Sequence, residues 1–102
     1  MAKTITLTIP HRLSQDEARQ RIQTGIEDAR RKFGGQIGQL EDHWTGNHVE
    51  AQCKVLGQTI TGRADVQPDR VVINIDLPWL LSKLVGSIQP QIEAEARRRL
   101  GR

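Results

Sequence analysis

Val71-Val72-Ile73-Asn74-Ile75-Asp76-Leu77 reads as a strand and runs through Pro78 into a stretch with a different period. From Leu77 onward, Leu80, Leu81, Leu84, Val85, Ile88, Ile92, Ala96 and Leu100 recur at three- and four-residue steps, which gathers them on one broad helical stripe. A helix with such a stripe needs an apolar surface of similar size to cover it. In a chain of 102 residues that surface is a sheet built from the preceding segments, so the fold class is α+β. Pro90 falls inside the stripe, where proline removes a helical hydrogen bond at a cost of about 3 kcal/mol. The helix therefore either kinks near Gly86-Ser87 or restarts there with Ser87 as its cap.

Working outward, Thr4-Ile5-Thr6-Leu7-Thr8-Ile9 alternates strictly, with Ile5, Leu7 and Ile9 on a core face and Pro10 closing the strand. Ser14-Gln15-Asp16-Glu17 has the form of a capping box, and Leu13 sits where a hydrophobic staple would reach Ala18. The helix it opens carries Ala18, Ile22, Gly25, Ile26, Ala29 and Phe33 on one narrow stripe and is stopped by Gly34-Gly35. From Gly38 the period falls to two. Leu40, Asp42 and Trp44 share one face of a strand, Gly46-Asn47 forms a two-residue hairpin loop, and Val49, Ala51, Cys53 and Val55 alternate in the next strand. Gly57 turns the chain into a strand with Ile60, Gly62, Ala64 and Val66 inward, and Gln67-Pro68-Asp69-Arg70 makes the last turn.

The element order is β-α-β-β-β-β-α, in one domain spanning residues 1–102. The first helix makes a crossover, and three hairpins then leave the fifth strand running antiparallel to the first. The expected five-stranded antiparallel sheet has the order 2-3-4-5-1 with both helices on one face. Thr4, Thr6, Thr8, Glu50, Gln52, Lys54, Thr59, Thr61, Arg63, Asp65, Asn74 and Asp76 are expected on the open face. This is similar to a helix-grip or TATA-binding-protein-like architecture in minimal form, an analogy of fold that carries no function by itself.

Two stretches resemble the polyhydroxyalkanoic acid system family. These are Ile5-Thr6-Leu7-Thr8-Ile9-Pro10-His11-Arg12-Leu13 with Glu17-Ala18, and Asp76-Leu77-Pro78-Trp79-Leu80-Leu81. The resemblance spans nearly the whole chain in length and element order. It implies a small bacterial protein encoded beside polyester synthesis and phasin genes, with a regulatory role at storage granules. It supplies no reaction, cofactor or catalytic residue to carry over.

The residues agree with a non-enzymatic role. There is no Gly-rich phosphate loop and no nucleophile elbow. Cys53, the single cysteine, points to the core as a small apolar filler and cannot form an internal disulfide, which is compatible with a reducing cytoplasm. His43, His48 and Glu50 meet on the open face as ordinary polar residues rather than a metal site, and no cofactor is expected. No apolar run reaches the roughly 18 residues a membrane span needs. A cytoplasmic location, with association to granules, is expected.

The net charge of +3 is a tail feature: 15 basic against 12 acidic residues leaves −1 once Arg97, Arg98, Arg99 and Arg102 are set aside. Read as a solvated helix end, Arg97 to Arg102 should be removable with the fold intact. The runner-up reading, a nucleic-acid-binding regulator, is suggested by the basic charge and the fold analogy, and the acidic balance of the open face weighs against it. The leading expectation is an accessory module that binds a protein of the polyester system or the granule surface. The residues expected to make that contact are Trp79 and Leu80 at the start of the last helix, His11 in the neighbouring loop, and Arg97, Arg98 and Arg99. A further reading is a carrier holding an acyl chain between helix and sheet. The small residues Ala51, Gly62 and Ala64 leave room for one, although large helix side chains are expected to fill the space.

Overall fold

The computed structural model describes residues 3–33, 38–55, 57–78, 83 and 85–101. Seven elements follow in order: β1 (Lys3–Pro10), α1 (Gln15–Phe33), β2 (Gly38–Thr45), β3 (His48–Val55), β4 (Gln58–Val66), β5 (Arg70–Leu77) and α2 (Val85–Leu100). The strands form one antiparallel sheet in the order β1-β5-β4-β3-β2, which is the expected order read from the other edge. The capping box forms at the start of α1. Glu17 N donates to Ser14 Oγ at 3.1 Å, and the Ser14 hydroxyl in turn donates to Glu17 Oε1 at 3.3 Å. The return bond thus runs between side chains instead of from the glutamate to the cap's own N–H.

Register follows from the turns. Gly46, with φ of +60°, supplies the left-handed backbone that a two-residue loop requires, and it sets Thr45 opposite His48, Trp44 opposite Val49 and His43 opposite Glu50. A bulge between Gly38 and Glu41 ends this regularity. At the far edge Ile5, Leu7 and Ile9 pair with Ile75, Ile73 and Val71, so the inner face of β1 continues that of β5. The outer face is polar and bonded across strands: Thr4 Oγ1 donates to Asp76 Oδ1 at 2.7 Å, Thr6 Oγ1 to Asn74 Oδ1 at 2.8 Å, and Arg63 Nη1 to Asp76 Oδ2 at 2.8 Å.

The core joins Ile5, Leu7, Ile9, Val66, Val71 and Leu77 of the sheet to Ala18 of α1 and to Ala96 and Leu100 of α2. α2 runs unbroken through Pro90, so the helix does not restart at Ser87. Proline leaves the Gly86 carbonyl without its helical donor, and a glycine at that position presents the least bulk beneath the proline ring. The stop at Gly34-Gly35 and the stripe residues Leu80, Leu81 and Leu84 lie outside the described residues.

α1 is tied to the β2 edge by a row of charged and aromatic contacts. Arg30 Nη2 donates to Asp42 Oδ1 at 2.6 Å, Trp44 Nε1 donates to Asp42 Oδ2 at 3.1 Å, and the Arg19 guanidinium lies 4.7 Å from the Trp44 ring centroid. Asp42 can thus face inward at a sheet edge because both its oxygens are bonded.

Candidate functional site

The inner face of the sheet is packed along β1, at both ends of β5 and at one end of β3 and β4, and is open over the rest. On β5, Val71 and Leu77 are wholly buried while Ile73 and Ile75 between them are only half-buried. On β4, Ala64 and Val66 are buried while Ile60 and Gly62 are not. Isoleucines in the middle of a central strand are ordinarily among the most buried residues of a domain, and here the described residues leave them partly exposed. The space above them is a cavity of about 510 Å³ between the helices and the sheet. Its floor is Ala51, Gly62, Ala64, Ile73 and Ile75, and its walls are Ile22, Ile26 and Ala29 of α1 with Ile92 and Ala96 of α2. The volume falls within the roughly 300–1,000 Å³ of small-molecule sites. The described helix side chains leave this space open; Leu80, Leu81 and Leu84, among the large stripe residues expected to fill it, lie outside the described residues.

Gly62 is the low point of the floor. It lies directly opposite Ala51 on one side and Ile75 on the other. A Cβ at this position would sit 3.8 Å from the Asn74 carbonyl oxygen and from Ile75 Cγ1, which is ordinary van der Waals contact. Neither a left-handed backbone nor crowding calls for glycine here, and glycine weakens a strand interior. Its physical effect is to deepen the cavity.

The rim is charged. Asp28 and Lys32 of α1 and Gln91, Glu95 and Arg99 of α2 edge the cavity. Arg99 fastens the helices together: its Nη2 donates to Asp28 Oδ2 at 2.8 Å, its Nε donates to Glu95 Oε2 at 2.6 Å, and its carbonyl accepts from Arg21 Nη1 at 3.0 Å. Its stem lies against Gly25, where a Cβ would come within 3.2 Å of Arg99 Cδ. A glycine mid-helix costs about 1 kcal/mol relative to alanine, and here it gives the arginine its seat. Asp28 also accepts from Arg31, and Glu95 accepts from Arg98 at 2.6 Å.

These bonds hold the Asp28 carboxyl below its ordinary value of 3.8, chiefly through Arg99 and then Arg31. They hold Glu95 below 4.5, chiefly through Arg98 and then Arg99. A carboxyl depressed in the folded state stabilises the fold above its unfolded value, and that contribution is lost as pH falls through the folded one. Arg99→Met retains an apolar stem over Gly25 and removes the charge. It should lower the urea midpoint at neutral pH and flatten its decline below about pH 4, since the fold then has less carboxylate stabilisation to lose. A decline as steep as in the unaltered protein would show that Arg99 does not link the helices.

The residues singled out by sequence are dispersed. His11 is 7% exposed, its Nε2 donates to the Gln67 carbonyl at 2.9 Å and its Nδ1 accepts from Leu13 N at 3.2 Å. That pattern fixes the neutral Nε2–H tautomer and joins the β1–α1 loop to the β4–β5 turn. Arg97 and Arg98 are 54% and 65% exposed and pair with Glu93 and Glu95 along their own helix, whereas Arg99 is 18% exposed. The tail is therefore not one solvated unit. Its residues Arg99 and Leu100 are packed, so the expectation that Arg97 to Arg102 can be removed with the fold intact is corrected. Trp79, Leu80 and Arg102 lie outside the described residues. On the outer face His48 Nδ1 lies 2.6 Å from Asp65 Oδ1, and no group of three side chains among the described residues is arranged to hold a metal ion.

A family model described as "Putative polyhydroxyalkanoic acid system protein" matches residues 5–100. The chain belongs to that family. This match takes in both stretches that carry the resemblance in sequence, and with them the cavity and its rim. No curated protein matches this member of the polyhydroxyalkanoic acid system family. Among solved structures, the fold is similar to Ara h 8.0201, with a TM-score of 0.56 and 6% identity over 99% of this chain and 97% of that one. It is also similar to truncated norcoclaurine synthase from Thalictrum flavum, with a TM-score of 0.50 and 12% identity over 100% and 96% of the two chains. At such identities the likeness shows the helix-grip fold alone. One of these neighbours is named a synthase, so the fold does not by itself separate a catalyst from a binder. No helix among the described residues is long and apolar enough to cross a membrane.

Proposed function

We propose that this family member is a non-enzymatic accessory module of bacterial polyhydroxyalkanoate storage, acting in the cytoplasm beside the granules, and that it binds a small hydrophobic ligand between its helices and its sheet. The observation that carries the reading is the aliphatic cavity floored by Ala51, Gly62 and Ala64, with open space above a glycine that the backbone does not require. Polyesters of this class are built from hydroxyacyl units, so the family context supplies ligands of matching apolar character.

Binding is favoured over catalysis by the chemistry at hand. Burial pushes the Cys53 thiol up, away from the reactive thiolate, and both ring nitrogens of His11 are engaged within the fold. A nucleic-acid partner is disfavoured by the pairing of Arg97, Arg98 and Arg99 with carboxylates. Contact with a protein partner or the granule surface, the leading expectation from sequence, is compatible with a loaded cavity but does not explain it.

Calorimetric titration with 1-decanol at several temperatures tests the proposal. Saturable binding at one site is expected, with the negative heat-capacity change that accompanies burial of apolar surface. Heats that never saturate, together with an unchanged melting temperature at high decanol, would overturn it.

A further inference from the structure

We infer that the ligand is a single-chain aliphatic carboxylate, held with its head at the rim between α1 and α2 and its chain over Gly62. The inference rests on the cavity being a ligand site and adds the chemistry of the ligand. It begins from the distribution of charge. Asp28 is shared by Arg31 and Arg99, and Glu95 by Arg98 and Arg99. The rim itself sets Lys32 and Arg99 against Asp28 and Glu95, and Arg31 and Arg98 reach those two carboxylates from outside the lining, so each acid is already neutralised and Lys32 is left over as a cation.

Both carboxylates are already occupied by guanidinium groups, so an incoming anion need not compete for an unsatisfied acid. Lys32 is one turn beyond Asp28, exposed, and forms no ion pair with any described residue. An exposed lysine at the edge of an apolar site can lay its stem along the wall and keep its ammonium in water, where it would meet a charged head. Beneath it the walls turn aliphatic at Ile26, Ala29 and Ile92 above the floor at Gly62 and Ile75; Arg63 also lines this floor, with its guanidinium bonded to Asp76. The cavity has the polarity of an amphiphile, wet and cationic at one end and apolar along its depth. A volume of about 510 Å³ lies in the lower part of the small-molecule range and suits one chain rather than a two-chain lipid.

The test compares decanoate with 1-decanol in mildly alkaline, low-salt buffer, where the acid is ionised and the two probes differ mainly in head charge. Decanoate should bind about tenfold tighter, and rising salt should shrink that preference. Lys32→Ala should erase most of the preference by weakening decanoate much more than decanol, while Lys32→Arg should restore it. Thermal melts of both variants, at an exposed position, establish that they are folded. Equal affinities for the two probes, or a Lys32→Ala variant that weakens both alike, would overturn the carboxylate head and leave the cavity as a ligand site. Failure of both probes to bind would overturn the cavity reading and this inference with it.

Discussion

Gly62→Val should raise the melting temperature and weaken 1-decanol binding by tenfold or more. The two halves of this result have one cause. Glycine in a strand interior leaves the unfolded chain more conformational freedom to lose on folding, and valine is a better strand former. Each effect favours the variant by about 0.4–1 kcal/mol where the space exists. A first side-chain carbon fits at position 62, in ordinary van der Waals contact with the Asn74 carbonyl oxygen and Ile75 Cγ1 at 3.8 Å, and the cavity lies beyond it. The branched methyls would project into the volume a ligand chain must occupy, and an overlap costing roughly 1–3 kcal/mol corresponds to about tenfold to a hundredfold in affinity. Melting curves and calorimetry on one preparation read both. A variant less stable than the parent would show that the space is filled in the folded protein, and undiminished decanol binding would place the ligand elsewhere.

Leu100→Ala is the second large effect. Leu100 is the last residue of α2 and is 0% exposed, packed in the same cluster as Ala18, Leu7 and Ile9. Truncating a fully buried leucine to alanine costs about 2–5 kcal/mol, because the lost contacts are compounded by the void left behind. In a domain of this size each kcal/mol moves the melting temperature by roughly 4–8 °C. Arg98→Ala, two residues earlier on the exposed side of the same turn, should change it by a degree or two at most. If both variants melted alike, the end of α2 would be frayed in solution and the junction between the helices would reside elsewhere.

Much of the fold was legible in the sequence because strand pairing is set by local features. The Gly46-Asn47 loop fixes the β2–β3 register, so the facing of His43 and Glu50 follows from counting. Counting strand directions around the crossover likewise places β1 antiparallel to β5. The small residues at 51, 62 and 64 were visible as a shallow patch, but whether the helices descend into it depends on how high they ride, which no spacing encodes. The rim was less legible still. Arg97, Arg98 and Arg99 are identical in type and adjacent, and only the crossing of α2 over Gly25 decides that the third turns inward to Asp28. Gly25 itself looked like one more small residue of a narrow stripe. Its part as a seat for an arginine emerges only when the second helix is in place.

The pairing of β1 with β5 also governs how this chain must assemble. β2 to β5 form a meander of hairpins whose partners are near in sequence, whereas Thr6 finds Asn74 across a separation of 68 residues. Closing so long a loop carries an entropic cost that local hairpins do not bear, so the meander is favoured to form first and the first strand to be recruited last. On the ribosome the order of emergence is the reverse: Ile5, Leu7 and Ile9 are made before the meander and must wait, with their apolar faces uncovered, until β5 has been synthesised. The threonines that alternate with them keep that waiting segment half polar, and the proline at its end limits how far it can pair with a stray strand. A strand that is last to dock in folding is thus built to tolerate being the first one made.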